Sequence, residues 1–186
     1  MARYTAVLDA CVLVPIALAD TLLRVAERGL YRPLWSQRIL GETADAILEI
    51  HPDLSSVAVA RRLDAMNRSF EDALVEGWED VEPPLALPDP DDRHVVATAI
   101  RGRADTIVTS NVRDYPEDVL EPLGIAAIDP DSFLLDQLDL APRTVLEVIR
   151  EQAAHTTRPS LTPTDLVARL ARCGVPSFAD DVSRMI

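Results

Sequence analysis

The sequence contains no lysine, only two cysteines and six glycines, and few aromatic residues. Cys11 and Cys173 lie far apart and form no CxxC pair, which argues against a disulfide framework and against a zinc site. We expect both to be reduced, buried thiols. The glycines form neither a GxGxxG turn nor a P-loop, so the sequence lacks the marks of a nucleotide-binding fold.

Long apolar runs are also absent. No stretch approaches the roughly 18 uninterrupted apolar residues that span a bilayer, and residues 1–8 lack the charged and apolar regions of a signal peptide. We therefore expect a protein without membrane contact, located in the cytoplasm. With 186 residues and 48% hydrophobic content, the chain is long enough for one well-buried core.

The charge is strongly negative, with a formal net value of −13, and all 18 basic residues are arginines. Such an excess of acid argues against nucleic acid as a partner, because phosphate repels carboxylates. The acid is concentrated in residues 69–92 and 116–139, whereas residues 93–115 hold four arginines against two acids. Arginine binds phosphate through a planar fork. We attribute its exclusive use mainly to codon bias, which leaves phosphate binding open.

Short apolar segments alternate with longer helical patterns along most of the chain. Strands are predicted at residues 5–8, 33–35, 78–81, 106–109 and 125–128. Helices are predicted at residues 12–30, 37–50 with Ser36 as N-cap, 57–74, 89–100, 116–120 and 130–138. Residues 82–90 form a proline-rich connector. The alternation predicts an α/β fold whose parallel sheet is covered on both faces.

From Pro142 onward the pattern predicts no strand. Helices are predicted at 144–154 and 163–173, the second with Thr162 as N-cap and Gly174 as its stop signal. We therefore divide the chain into an α/β domain, residues 1–139, and a helical C-terminal extension, residues 140–186. The apolar faces of the extension must be buried against another surface. This surface is one of three: the core, a second copy of the chain or a partner protein. We favour packing on the core.

Polar residues follow two of the predicted strands. Asp9 ends the first strand, at the edge where open α/β sheets place their ligands, although a helix-capping role explains it equally well. Thr109, Asn111 and Asp114 follow the strand at 106–109 and bring further oxygen ligands to the same kind of edge.

Asp92 is the most informative acidic residue. On a helix it shares a face with Val95 and Val96, so its carboxylate is directed toward the apolar side. Capping and the helix dipole explain Asp89 well and Asp91 adequately, but they explain an inward-facing Asp92 less well.

Glu42 lies at the edge of the apolar stripe of the helix after Ser36, where an exposed glutamate is common. Several carboxylates that converge on one sheet edge repel one another unless a cation lies among them. Oxygen-only ligands select hard ions such as Mg²⁺ or Mn²⁺, which suit phosphoryl substrates.

The segments VLDACVL, SQRILGET, DPDDRHVVATAI and IVTSNVRDYP, in this order, resemble the PIN domains, including the VapC-type toxins of toxin–antitoxin pairs. The resemblance covers residues 4–139 and implies a PIN-like three-layer sandwich with a central parallel sheet. It implies that Asp9, Glu42 and Asp92 are catalytic, metal-binding acids. Many members have an aspartate where this chain has Asn111, so the resemblance leaves Asp114 to supply the fourth catalytic, metal-binding carboxylate.

The resemblance also implies a Mg²⁺- or Mn²⁺-dependent endoribonuclease. As a toxin it would cut tRNA or rRNA and would be silenced by a cognate antitoxin; a homodimer is a further candidate assembly. Thr109, Asn111 and Asp91 are then candidates for lining the site. Arg93 and Arg113, each adjacent to a site motif, are the candidates for RNA binding.

Two other functions stay open: a PIN-like module that binds RNA or protein without turnover, and a housekeeping RNA-processing nuclease. The first depends on whether Asn111 and Asp114 complete the metal site, and the second on whether an antitoxin is encoded beside the gene. We set aside a haloacid-dehalogenase phosphatase because Cys11 occupies the position of its second aspartate. Three histidines share no metal spacing, and we interpret them as surface residues: His51, His94 and His155.

Overall fold

The computed structural model describes residues 4–81, 86–157 and 159–186, and a parallel sheet of four strands lies at its centre. The strands are β1 (Thr5–Leu8), β2 (Arg32–Leu34), β3 (Thr106–Val108) and β4 (Ala126–Ile128), in the order β2-β1-β3-β4. All residues of β1 are buried, and neighbours along a strand point to opposite faces, so both faces of the sheet are covered. The predicted α/β three-layer architecture is confirmed.

Helices and short 3-10 turns connect and follow the strands. The helices are α1 (Ala10–Leu13), α2 (Ile16–Glu27), α3 (Gln37–Ile50), α4 (Ser56–Ser69), α5 (Arg93–Gly102), α6 (Glu117–Leu120), α7 (Pro130–Leu140), α8 (Pro142–His155), α9 (Pro163–Arg172) and α10 (Pro176–Met185). The 3-10 turns are Glu79–Val81, Pro90–Asp92, Val112–Asp114 and Glu121–Leu123. Within the described ranges, no helix is both long enough and apolar enough to cross a membrane.

The predicted caps of two helices are present. The Ser36 hydroxyl accepts a hydrogen bond from the backbone N–H of Ile39 at the start of α3. At the start of α9, the Thr162 hydroxyl accepts from the backbone N–H of Asp165, whose carboxylate accepts from the backbone N–H of Thr162. Each cap satisfies backbone donors that the first helical turn leaves without a partner.

Two predicted elements are wrong. Residues 78–81 form no strand; the chain makes a 3-10 turn over Glu79–Val81 and buries Trp78. Helix α4 ends at Ser69 and does not reach residue 74. The ring of Phe70 packs edge-on against Trp35, so Phe70 is partly buried by a tertiary contact outside the helix.

The segment before α5 also differs from the prediction. The expected helix start near Asp89 is a 3-10 turn over Pro90–Asp92, and α5 begins only at Arg93. The predicted connector at 82–90 lies partly outside the described residues, which resume at residue 86. Asp92 is therefore the residue at the N-terminus of α5.

The C-terminal helices pack on the rest of the chain. Helix α8 contacts α2 and α7, α9 contacts α2 and α8, and α10, which the sequence pattern did not predict, contacts α7 and α9. The carboxylate of Asp131, in α7, accepts hydrogen bonds from the backbone N–H groups of Ser177 and Phe178 and so caps α10. Packing on the core agrees with the expectation, whereas the boundary at residues 139 and 140 stays a prediction.

The last residue of α5 provides a test of the helix–sheet packing. A Cβ atom on Gly102 would lie 2.4 Å from Cδ1 of Leu34, which is fully buried in β2. We expect Gly102→Ala to lower the free energy of unfolding by about 1–2 kcal/mol, because the core cannot accept the extra methyl group without shifting. Urea denaturation measures the change.

Gly41 is the matched control for this substitution. It lies inside α3, and a Cβ atom there would have no neighbour within 4 Å. Gly41→Ala should raise stability by about 1 kcal/mol, because alanine has the higher helix propensity. Equal changes at the two positions would contradict the close packing of α5 on β2.

Candidate active site

The carboxylate of Asp9 lies at the carboxyl end of β1 and is held by two hydrogen bonds. Its Oδ1 accepts from the backbone N–H of Ala10 at 2.7 Å, and its Oδ2 accepts from the Thr109 hydroxyl at 2.7 Å. Asp9 is only 8% exposed. It does cap α1, as the alternative interpretation predicted, but the bond from Thr109 also ties it to the end of β3. The fold therefore gives this carboxylate a fixed orientation.

Cys11 lies next to this pair. Its thiol is 3.4 Å from Oδ2 of Asp9 and 3.4 Å from the hydroxyl of Thr109, and its sulfur accepts from the backbone N–H of Ser110. Burial, followed by the charge of Asp9, raises the pKa of the thiol to about 11, so it stays protonated near neutral pH. Cys11 and Cys173 are both free, as expected, but each is only partly buried.

Asp92 has an electrostatic environment that disfavours its charge. Burial, followed by the negative charges of Asp9, Asp89 and Asp114, raises its pKa to about 6. Asp89 accepts from the backbone N–H of Asp91 at 2.9 Å, whereas the side chain of Asp92 makes no capping hydrogen bond. Capping therefore explains Asp89 and does not explain Asp92, which lies within electrostatic range of two other acids of the predicted site.

Tyr115 adds a neutral polar group to this acidic cluster, and the sequence pattern did not single it out. The residue is 2% exposed, and its hydroxyl is within interaction range of Asp92 but makes no hydrogen bond of standard geometry with the residues described. Burial raises the pKa of the phenol, and the charges of Asp9 and Asp92 raise it further. The hydroxyl is thus close enough to both carboxylates to sense their charge.

Glu42 has different neighbours. Its Oε1 lies 3.0 Å from Nε2 of His94 and 3.2 Å from Nε of Arg38. Burial opposes ionisation of Glu42, but the hydrogen bonds and charges of His94 and Arg38 outweigh it and lower the pKa. The structure therefore brings Asp9, Asp92 and Asp114 into one electrostatic group, and Glu42 contacts His94, which is also within electrostatic range of Asp92.

The interpretation of His94 as a surface residue is wrong. His94 is 1% exposed, and the centroid of its ring lies 5.8 Å from that of Trp78. His51 and His155 are exposed, as predicted. The ring of Trp78, sixteen residues earlier, and the packing of α5 on the sheet contribute to this burial, and neither contact is evident from the residues around position 94.

Comparison with known proteins identifies the family. A family model described as PIN domain matches residues 5–113, more than half of the chain. The chain belongs to the PIN domain family. A second family model, the VapC50 C-terminal domain, matches residues 130–184. These matches confirm the resemblance that the four sequence segments indicated.

One relative among the curated proteins is similar to part of this PIN-family chain. Over 94 residues the chain is 44% identical to "Putative ribonuclease VapC50" of Mycobacterium tuberculosis, and the alignment covers 50% of this chain and 55% of that protein. The chain thus spans about half the length of this relative. No solved structure matches the chain.

The remaining predicted site residues are all partly or fully exposed. The backbone N–H of Asn111 donates to the Thr109 hydroxyl, while Asn111 itself is exposed. The side chain of Asp91 is 89% exposed and lies 3.8 Å from Arg38. Arg93 is half-buried and Arg113 is exposed. These positions are compatible with roles at the site, and the roles themselves stay predictions.

The carboxylate oxygens of the predicted site are ligands that suit a hard cation, although they do not surround a single metal position. No group of three or more acidic, histidine or cysteine side chains in the described ranges has the spacing to hold a metal ion. Mg²⁺ does not require such a cage, because it usually keeps several waters and binds one or two carboxylates directly. The buried hydroxyl of Tyr115 lies near Asp9 and Asp92 without a hydrogen bond of standard geometry, and it is the kind of group that a bound water would satisfy.

Proposed function

We propose that this PIN-family protein is a metal-dependent endoribonuclease that hydrolyses RNA phosphodiester bonds, with Mg²⁺ or Mn²⁺ as its cofactor. The observation that carries the proposal is the acidic cluster in which hydrogen bonds fix Asp9 at the end of β1 and the like charges of Asp9 and Asp114 oppose ionisation of Asp92. A bound cation would remove this opposition. The PIN domain match and the similarity to a relative named as a ribonuclease support the same class of activity.

Each acidic side chain of the proposed site has its own role. Asp9 is rigid, because both of its oxygens accept hydrogen bonds, and it offers its remaining lone pairs to the ion. Asp92 and Asp114 would complete the acidic side of the site, and Glu42 would act from α3. The ion would supply a water of lowered pKa, held in line with the scissile bond, and would stabilise charge on the leaving oxygen.

RNA cleavage by the purified protein tests the proposal. A labelled RNA should be cut internally in Mn²⁺ or Mg²⁺, should stay intact in EDTA, and should be cut again when metal is restored. Asp92→Asn, purified in the same way, controls for contaminating nucleases. Cleavage that survives EDTA, or that Asp92→Asn retains in full, would contradict this assignment. RNA binding without any cleavage would favour the non-catalytic module instead.

RNA capture is proposed for Arg93 and Arg113, which flank Asp92 and Asp114. Replacing either by glutamine should weaken RNA binding and lower the slope of log Kd against log salt by about one unit, because each arginine would neutralise about one phosphate. Filter binding at several salt concentrations measures the slope. Charge neutralisation at a phosphate contact should weaken binding similarly for different RNA sequences.

Arg24 is the matched control for this pair. It lies in α2, where it forms an ion pair with Asp20 at 3.0 Å. Arg24→Gln should leave the salt slope unchanged. An unchanged slope for both Arg93→Gln and Arg113→Gln, together with a reduced slope for Arg24→Gln, would place the RNA path across α2.

We further propose that the protein is the toxin of a type II toxin–antitoxin pair, acts in the cytoplasm on tRNA or rRNA, and binds a cognate antitoxin. The 44% identity to a relative named VapC50 and the match of residues 130–184 to its C-terminal domain support this narrower role. Induced expression should arrest growth, and co-expression of the small protein encoded beside the gene should relieve the arrest. Growth that is unaffected by expression of an active nuclease would favour a housekeeping RNA-processing role.

A further inference from the structure

A buried imidazole joins the two helices that carry acidic residues of the proposed site. His94 lies in α5, two residues after Asp92, and its Nε2 is 3.0 Å from Oε1 of Glu42 in α3. Because α5 begins beside Asp92, this contact links the position of Glu42 to the helix that follows Asp92. The His94 side of this contact is almost completely buried, whereas the Glu42 side chain is 40% exposed.

The histidine ring is held in place, yet packing alone does not account for it. The ring of Trp78 lies against it at an interplanar angle of 60°. Its Nδ1 is buried and has no hydrogen-bond partner within the described part of the chain. A phenyl ring at this position would fill a similar space without an unpaired polar atom, and buried polar groups without partners are destabilising. The contribution of the imidazole must therefore lie in its bond to Glu42.

The carboxylate of Glu42 is held at one oxygen. Nε2 of His94 and Nε of Arg38 both contact this same oxygen, Oε1. Arg38 is partly exposed and carries a flexible side chain, so its contact is more easily exchanged for water. The buried His94 is therefore the stronger constraint on the orientation of Glu42.

We propose that His94 is a positioning residue, which fixes the Glu42 carboxylate so that Oε2 is presented to the metal-bound waters of the active site. The proposal rests on the proposed function, because it assigns a role within the same metal site. Groups that orient the acidic and imidazole side chains of metal sites typically contribute about 10- to 100-fold to metal affinity. His94 itself touches neither the ion nor the RNA.

The substitution that tests this role is His94→Phe. It keeps an aromatic ring against Trp78, removes the N–H donor and removes the unpaired Nδ1, so the melting temperature should be unchanged or higher. The Kd for Mn²⁺, measured by calorimetry without RNA, should rise about 10- to 100-fold. RNA cleavage should be lost at limiting Mn²⁺ and should return at saturating Mn²⁺, because Glu42 itself is still present.

Two further variants separate positioning from general disruption. His94→Gln keeps a side-chain N–H donor and should recover part of the Mn²⁺ affinity that His94→Phe loses. His155→Phe makes the same chemical change in α8, where the histidine is exposed, and should leave Mn²⁺ affinity unaltered. Equal Mn²⁺ affinity in wild type and His94→Phe would overturn the proposal.

A measurement on the metal-free protein keeps this inference distinct from the proposed function. Side-chain NMR relaxation of Glu42 should show an ordered carboxylate in the wild type and a more mobile one in His94→Phe. Equal order in both proteins overturns the positioning role of His94. A wild-type protein that neither binds Mn²⁺ nor cuts RNA overturns the proposed function, and with it the consequence for metal binding, while the relaxation data still decide whether His94 orients Glu42.

Discussion

Asp92→Asn is expected to lower metal-dependent RNA cleavage by about 100-fold or more and to stabilise the metal-free protein. Activity should fall because the asparagine amide keeps the shape of the side chain but removes the charge that would hold the cation and its activated water. Initial rates at several Mn²⁺ concentrations measure the loss. The variant should not regain full activity at saturating metal, which distinguishes it from His94→Phe.

The stability part of this prediction follows from the pKa of Asp92. Folding raises this pKa from its usual 3.8 to about 6, so between these values the folded state binds more protons than the unfolded state. The stability of the metal-free protein should therefore fall as the pH rises from about 4 to about 6. Because Asp92 is only half-buried, solvent screening limits the effect to about 1 kcal/mol.

Urea denaturation in EDTA at pH 4.5 and pH 7.5 measures this effect. The wild type should lose stability between the two pH values through Asp92, and Asp92→Asn should reduce that difference. Asp118→Asn, at an exposed position in α6, is the matched control and should alter neither the pH dependence nor the cleavage rate. A variant at Asp92 that is less stable than the wild type at pH 7.5 would contradict the repulsion among these acids.

The parts of the site that follow from local sequence are those at strand ends. A buried strand that ends in Asp9 and a second that ends before Asp114 can be recognised from short apolar runs. Parallel pairing of β1 with β3 then brings their carboxyl ends to one edge. Helical spacing relative to Val95 and Val96 predicts an inward-facing Asp92, whereas in the structure Asp92 lies in the turn before α5 and is half-buried.

The parts that local sequence did not predict depend on contacts between distant segments. The ring of Trp78 contributes to the burial of His94, and the sequence pattern placed Trp78 in a strand that does not form. The partner of Glu42, His94, is likewise on another helix. The sequence of α3 alone therefore does not distinguish Glu42, at the edge of the apolar face of this helix, from an ordinary exposed glutamate. Tyr115 follows Asp114 directly, but its buried hydroxyl is evident only when the acids around it are placed in space.

Gln152→Ala is expected to lower the free energy of unfolding by about 3 kcal/mol, although Gln152 lies far from the acidic site in sequence. The side chain is 2% exposed in α8 and reaches α2. Its Oε1 accepts from the Thr21 hydroxyl at 2.7 Å, and its Nε2 donates to the carbonyl of Ala17 at 2.9 Å. Alanine would remove both bonds between α8 and α2 and leave a cavity between the two helices.

Two variants distinguish the lost bonds from the cavity, with urea denaturation followed by circular dichroism as the measurement. Gln152→Leu nearly preserves the volume, and the Thr21 hydroxyl can still donate to the Ala17 carbonyl at 2.9 Å, so its loss should be less than about 1.5 kcal/mol. Thr21→Val leaves Oε1 of Gln152 buried without a donor and should cost about 1–3 kcal/mol. If all three variants were as stable as the wild type, and if protease rapidly trimmed the wild type near Pro142 to a stable core, α8 would not pack on α2 in solution. The apolar faces of the extension would then need a second copy of the chain or the antitoxin as their cover.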